Sequence, residues 1–340
     1  MEKISFPDAH GGAALIVTKK FVWKTVAGGM FLAVIVLGGL VVAGRIRQGS
    51  STAGMPARPG PLIPAEKPEQ GLILFQSRIE GHWQIFSLDL YSGVRTRLSR
   101  SEADDTYPSS SPDGAWIVFE STRGGCQSVW RMSADGTGLE RLSEKGRECG
   151  APCWNNDSSS ILFNSPRSGR EQLFVLDLNT RSERQLTDSF WRSILPAVSP
   201  DGAAIAFTRN KLGWDVYRMN PDGSGVKALT SEGGNCRPDW SPDGKQIAYV
   251  SDAADGKGDV WIMDADGGNK MRVTPGDDSY DYNPAWSPDG RWLVFETTLG
   301  SKSNPWSLAI IPVSGGTPFL LTPAGADDRF PDWAPGKDAR

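Results

Sequence analysis

The chain has 340 residues, with 36 Lys and Arg against 40 Asp and Glu and a formal net charge of −4. Hydrophobic residues make up 39% and charged residues 22%, which excludes a disordered chain and a polytopic membrane protein, and the slight acidic excess offers no field for nucleic acid. Two histidines, His10 and His82, are too few for a multi-His metal centre, whereas 39 Gly, 24 Pro and 13 Trp describe an all-β chain that turns often and buries large aromatics.

Residues 1–24 form a short N-terminal segment. From Thr25 to Gly44 the stretch TVAGGMFLAVIVLGGLVVAG carries no charge. As a helix rising about 1.5 Å per residue it would cover about 30 Å, the hydrocarbon thickness of a bilayer. The sequence therefore predicts one transmembrane helix over 25–44. The run is longer than the apolar region of a cleaved signal, about 7–15 residues, so a signal-anchor is expected. The rival is cleavage after the small residues Val41 and Ala43. Lys19, Lys20 and Lys24 before the span nearly balance Arg45, Arg47 and Arg58 after it. Lys3 tips the orientation towards an N-terminus inside, which makes the C-terminal domain extracytoplasmic, periplasmic or extracellular. Residues 45–70 then read as a Pro/Gly-rich linker that holds a domain off a surface.

From residue 71 one phrase recurs: YPSSSPDGAWIVFES, APCWNNDSSSILFNS, LPAVSPDGAAIAFTR, RPDWSPDGKQIAYVS and NPAWSPDGRWLVFET, with a truncated FPDWAPGK at the end. The Pro of the SPDG slot falls at Pro112, Asn156 (its replacement), Pro200, Pro242, Pro288 and Pro335, giving intervals of 44, 44, 42, 46 and 47 residues. A period of forty-odd residues with several short strands is that of a β-propeller blade. Ser-Pro-Asp-Gly presets a tight turn, with Pro fixing φ and Gly accepting the left-handed end. The residues before the turn make a first strand and IVFES or IAFTR a second. DVYRM or DVWIM makes a third, and after another Gly turn a fourth ends in LS or LT. The copy at Asn155–Ser158 lacks SPDG, so a looser turn is expected there. GLILFQSR, WQIFSLDL and VRTRLS form a blade without its first strand, which the C-terminal FPDWAP supplies. The prediction is a six-bladed β-propeller over 71–337, closed by a clasp between the two ends.

These phrases resemble the TolB-like, WD-related propeller repeats of bacterial proteins. The resemblance covers residues 71–337, with clear motifs in five of six copies, and implies fold more than function. TolB carries an α/β domain ahead of its propeller, through which it engages its energising partner. Here that place is taken by the apolar span and linker, so the TolB role does not transfer.

The loops entering the first strands, and those from second to third strands, are the longer ones and share a face, opposite the SPDG turns. That face is the expected binding surface. Around its channel mouth the sequence places Asp105, Glu148, Asp281 and Asp328, with Arg192, Arg237 and Arg329 between them and Tyr107, Trp191, Tyr282 and Phe330 interleaved. Arg, aromatics and carboxylates together suit a protein or peptide partner. The competing reading is that acids before Pro only satisfy backbone donors at blade junctions. Further out, Arg78, Arg123, Arg167, Arg170, Arg209, Lys211 and Lys302 make the loops basic. The four cysteines fall on or near this face. Cys126 and Cys149 flank one blade and form the candidate disulfide, with free thiols as the alternative. Neither a metal site nor a cofactor is expected.

The chain shows no G-x-S-x-G elbow, H-E-x-x-H or Walker loop. The expectation is a non-enzyme: a membrane-tethered, single-pass, monomeric propeller binding an envelope protein or peptide. A carbohydrate- or small-ligand sensor is the alternative, and a glycosidase with paired carboxylates a third.

Overall fold

The structure is a computed structural model. It describes residues 71–335 apart from Lys145, together with Pro68 and a separate antiparallel pair, Lys3–Ile4 with Val17–Thr18. The expected membrane span at 25–44 lies outside the described residues. Among the described residues no helix is long and apolar enough to cross a membrane.

Six four-stranded antiparallel sheets follow one another. Blade 2 runs from its innermost strand Asp105–Ser110 through Trp116–Ser121 and Ser128–Ser133 to Glu140–Arg141. Blades 3 to 6 repeat this over 150–185, 192–228, 235–272 and 281–320. Blade 1 takes its innermost strand, Asp328–Ala334, from the C-terminal end and pairs it with Leu72–Ile79, followed by His82–Asp89 and Arg95–Arg97. Each innermost strand packs on that of the next blade, and blade 6 returns to blade 1. The clasp read from the sequence closes the ring.

The repeat phrases have structural duties. In the SPDG turns Gly114, Gly202, Gly244 and Gly290 sit at φ of 68–69°, and each donates its N–H to the turn's first carbonyl at 2.8–2.9 Å. The divergent blade 3 turn closes the same way, Ser158 N–H to Asn155 O at 3.1 Å, with Ser158 taking φ of 57°. The bond is slightly longer than in the SPDG turns, the direction expected there, but the turn is kept. The LS/LT endings cap the third strands: the hydroxyls of Ser99, Ser143, Thr187, Thr230, Thr274 and Thr322 accept the N–H of Ile85, Val129, Leu173, Val216, Val260 and Leu308 at 2.9–3.1 Å. All six hydroxyl residues are buried, so each satisfies a donor that water could not reach.

The core is divided by junction. Six apolar clusters each join two neighbouring blades, and the aromatic of every second strand, Phe75, Phe119, Phe163, Phe207, Tyr249 or Phe295, is fully buried in them. Each such side chain contributes about 1.5–3 kcal/mol by burial. Trp154, Trp240 and Trp286 add a staple, donating Nε1–H to the carbonyls of Ser109, Ala197 and Asp239 in the preceding blade at 3.1–3.3 Å.

Candidate functional site

One position of the innermost strand decides what lies on the axis. The residue before the inner proline is left-handed in all six blades: Tyr107, Ala151, Leu195, Arg237, Asn283 and Phe330, at φ of 46–59°. Each marks a slip in strand register, a bulge that re-aims the side chain. The strained backbone is tied down from the preceding blade. Tyr107 N–H donates to Gln76 Oε1 at 3.0 Å, Ala151 to Glu120 Oε2 at 3.1 Å, Arg237 to Thr208 Oγ1 at 3.0 Å and Phe330 to Glu296 Oε2 at 2.7 Å. Burial pushes Glu120 above the usual carboxylate range.

Four of these side chains meet on the axis. Tyr107 and Phe330 are 4.1 Å apart between ring centroids, and the Arg237 guanidinium lies 5.1 Å over Phe330. Arg237 also bonds the Tyr107 hydroxyl, from the opposite blade, and donates Nη1–H to Asn283 Oδ1. Together they plug the channel at its loop-face end. The mouth expected there is closed.

Below the plug a cavity of about 450 Å³ extends to the opposite face, where Pro112, Pro200, Pro242 and Pro288 form an exposed rim. Its wall carries Cys153, Asp239 and Asp332 at corresponding positions of three blades. Asp239 Oδ2 accepts the Trp286 N–H at 2.9 Å, and Asp332 Oδ2 accepts from Ser110 N–H at 2.9 Å and Ser110 Oγ at 2.6 Å. Desolvation raises both carboxyls, Asp239 to about 7 with the Asp332 charge adding to the rise. The Cys153 thiol is pushed up to about 12, chiefly by burial, so it is a thiol and not a nucleophile.

The other expected mouth residues separate into two kinds. Asp105, Asp281 and Asp328 are buried at blade junctions, 0–3% exposed. Asp105 pairs with Arg123 at 2.5 Å and Asp328 with Arg95 at 2.9 Å, and burial lifts Asp281 to about 7. These acids are shielded from solvent, and the Asp105 and Asp328 ion pairs each tie together strands and loops of a single blade. Arg329 reaches Glu296 at 3.2 Å and stacks over Trp306 at 4.7 Å, where Tyr282 also packs edge-on. Glu148 is exposed on the loop between blades 2 and 3. All four cysteines are free, so the expected Cys126–Cys149 bridge is absent; Cys149 is buried, its Sγ donating to the Arg147 carbonyl at 3.6 Å.

Trp191 and Arg192 remain on the loop face, beside Arg170 of the basic loops and apolar neighbours the sequence did not single out. Phe190 is 67% exposed and meets Trp191 edge-on at 5.1 Å, while Arg170 lies 4.3 Å over Phe190. Arg192 pairs with Glu171 at 2.6 Å and lies 5.5 Å from the Trp214 ring centroid. Leu212, on the adjoining loop of blade 4, is 94% exposed.

A family profile described as "TolB beta propeller domain" matches residues 57–190 and 140–337. The chain belongs to the TolB-like β-propeller family. It is 43% identical over 84 residues to the Tol-Pal system protein TolB of Rhizorhabdus wittichii, covering 24% of this chain and 18% of that protein. It is 31% identical over 143 residues to the uncharacterized protein Atu1656 of Agrobacterium fabrum, covering 42% of this chain and 47% of that one. It is also 31% identical over 118 residues to the uncharacterized peptidase YuxL of Bacillus subtilis, covering 32% of this chain and 18% of that one. The matches thus span less than half the length of these curated relatives. Among solved structures, TolB from Acinetobacter baumannii superposes with a TM-score of 0.67 at 25% identity, over 78% of this chain and 67% of that one. Hydrazine synthase of Kuenenia stuttgartiensis shares the fold, with a TM-score of 0.62 at 15% identity over 78% of this chain and 47% of that one.

In this TolB-like ring the sequence signal for the axial plug was available, as the residue preceding the inner proline of every repeat. The wall acids Asp239 and Asp332 were also visible, two residues further on.

Proposed function

We propose that this TolB-like propeller is an extracytoplasmic, membrane-tethered module that binds a protein or peptide of the cell envelope, and that it is not an enzyme. Relatives named for the Tol-Pal system support an envelope role. The observation that carries the reading is the loop-face patch, in which Phe190 and Leu212 are 67% and 94% exposed beside Trp191, Arg170 and Arg192. Exposed aromatics flanked by guanidinium groups are the composition of interface hot spots, and a stable domain gains nothing by displaying them.

The test is capture from detergent-solubilised membranes with full-length variants of verified melting temperature. Trp191→Ala should weaken capture more than about tenfold, in line with about 2 kcal/mol for an interface anchor. Asp201→Ala, in the opposite turn, should lower stability and leave affinity intact. Capture insensitive to Trp191 and abolished by a well-folded Asp201→Ala would place the partner on the turn face. A reporter fused after Arg340 should be active outside the cytoplasm and stay with membranes through a high-salt wash. Cytoplasmic activity or soluble release would overturn the tethered placement.

A further inference from the structure

At the plugged end of the axial cavity a guanidinium without an ion pair lies beside a buried amide donor without an acceptor. Among the described residues Arg237 forms no ion pair. Its guanidinium is held by Asn283 Oδ1, the Tyr107 hydroxyl, the Cys236 side chain and the rings of Tyr282 and Phe330, and it feels the Glu296 carboxylate only at longer range than an ion pair. Asn283 also lines the cavity and is 8% exposed, yet its Nδ2 has no hydrogen-bond partner. A shielded guanidinium is normally matched by an anion, and a buried amide N–H by an acceptor. A carboxylate satisfies both at once, because its two oxygens can take one guanidinium N–H and one amide N–H.

The wall above this end has the opposite character. Asp239 and Asp332 lie two strand residues closer to the open rim, about 6–7 Å along the axis at the usual strand rise. Each uses Oδ2 to hold the next blade's backbone, both line the same cavity, and repulsion from the Asp332 charge adds to the raised pKa of Asp239. A cation between them relieves that repulsion. The intervening wall is apolar, with Pro238, Pro284, Ala285 and Pro331 lining the cavity.

We propose that the cavity binds a zwitterion whose carboxylate sits on Arg237 and Asn283 and whose ammonium group sits between Asp239 and Asp332, with a methylene stem along the prolines. This is an ω-amino carboxylate. A free small molecule and the C-terminal lysine of a peptide both present it. The site is on the turn face and is independent of the loop-face reading.

Calorimetric titration of the full-length chain with 6-aminohexanoate, hexanoate and hexylamine tests it. The 6-aminohexanoate should bind at least about tenfold more tightly than either singly charged analogue, as expected when one charge-assisted contact is lost. Arg237→Gln should remove its advantage over hexylamine, and Asp332→Asn its advantage over hexanoate, at an unchanged melting temperature. Should Arg237→Gln fail to fold, the ligand series and the near-isosteric Asp332→Asn still decide. An Ala-Ala-Lys tripeptide that binds more tightly than 6-aminohexanoate, and loses binding on C-terminal amidation, would assign the peptide source. A tripeptide that is excluded would assign the free ligand. Hexylamine binding as tightly as 6-aminohexanoate, or no heat with any of the three, would overturn the proposal.

Discussion

Asp281 illustrates how a carboxylate three residues before the inner proline becomes structural. It is 3% exposed and bonds the side chains of Thr297 and Thr274, and burial raises it to about 7. Asp259, at the same junction, is lifted to about 6 by burial in spite of Arg272. An unfolded aspartate titrates near 3.9. Between about pH 4 and 7 the folded chain therefore keeps a proton on Asp281 that the unfolded chain has lost. Unfolding releases that proton, so this group's contribution is greatest below the unfolded value and falls as pH rises through the folded one. The slope is at most about 1.4 kcal/mol per pH unit for one proton. Asp281→Asn should flatten the urea-derived stability profile between those limits relative to wild type. Identical profiles would mean that Asp281 ionises as a surface acid does. Sequence reading placed this residue at a partner surface because an acid before proline, flanked by Tyr282, looks the same in either setting. The bulge separates the two cases. It shifts the period of two by one residue, so alternation counted from the SPDG turn no longer tells which side chains face the channel.

At the scale of the element, the turn was legible and the bulge was not. Ser-Pro-Asp-Gly dictates its geometry locally: Asp201 Oδ1 accepts from Ser199 Oγ at 2.6 Å and from Ala203 N–H at 2.9 Å, and Asp289 does the same with Ser287 and Arg291 at 2.5 and 3.0 Å. No distant residue is needed. The left-handed residue before the inner proline depends instead on a side chain from the preceding blade, such as Gln76 under Tyr107, and no local pattern announces a partner 31 residues away. Blade 3 shows how much of the turn is backbone. Asp157, the one residue of the four that is retained, still accepts from Ser159 N–H at 2.9 Å, and Ser158 takes φ of 57° where the other complete repeats have glycine. A left-handed L-residue costs about 1–2 kcal/mol relative to the right-handed form, a cost glycine escapes. Ser158→Gly should therefore stabilise the protein by about 0.5–1 kcal/mol in chemical denaturation, allowing for glycine's greater freedom when unfolded. A loss of stability would show that the Ser158 side chain holds a contact worth more than the strain.

At the scale of the whole molecule, everything depends on the last strand. A propeller has no core of its own; its apolar clusters lie between blades, so a ring with one open junction loses a cluster and exposes two sheet faces. The closing junction joins blades 6 and 1 through Trp292, Val294, Leu308 and Ile310 on one side and Ile73, Phe75 and Trp333 on the other. Within blade 1 the register Arg329 to Gln76, Asp332 to Leu74 and Trp333 to Ile73 covers the inner edge of Leu72–Ile79. The same strand supplies Phe330 to the axial plug and Asp332 to Ser110 of blade 2, so it touches both neighbours and the axis at once. Deleting the chain from Arg329 onward removes all of these together. It leaves an eight-residue strand with unpaired N–H and C=O groups, a template for pairing with another chain. The truncated protein should melt at a lower temperature and elute as aggregates or swapped multimers. Because the lost contacts are all made by blade 1, partial damage should not look like a slightly weakened ring: the seams of blade 1 should open first, with amides of Leu72–Ile79 exchanging ahead of those in blades 3 and 4. An unchanged melting temperature with a monomeric elution profile would rule out closure by this strand, and uniform exchange across all six blades would rule out these seams as the weak point.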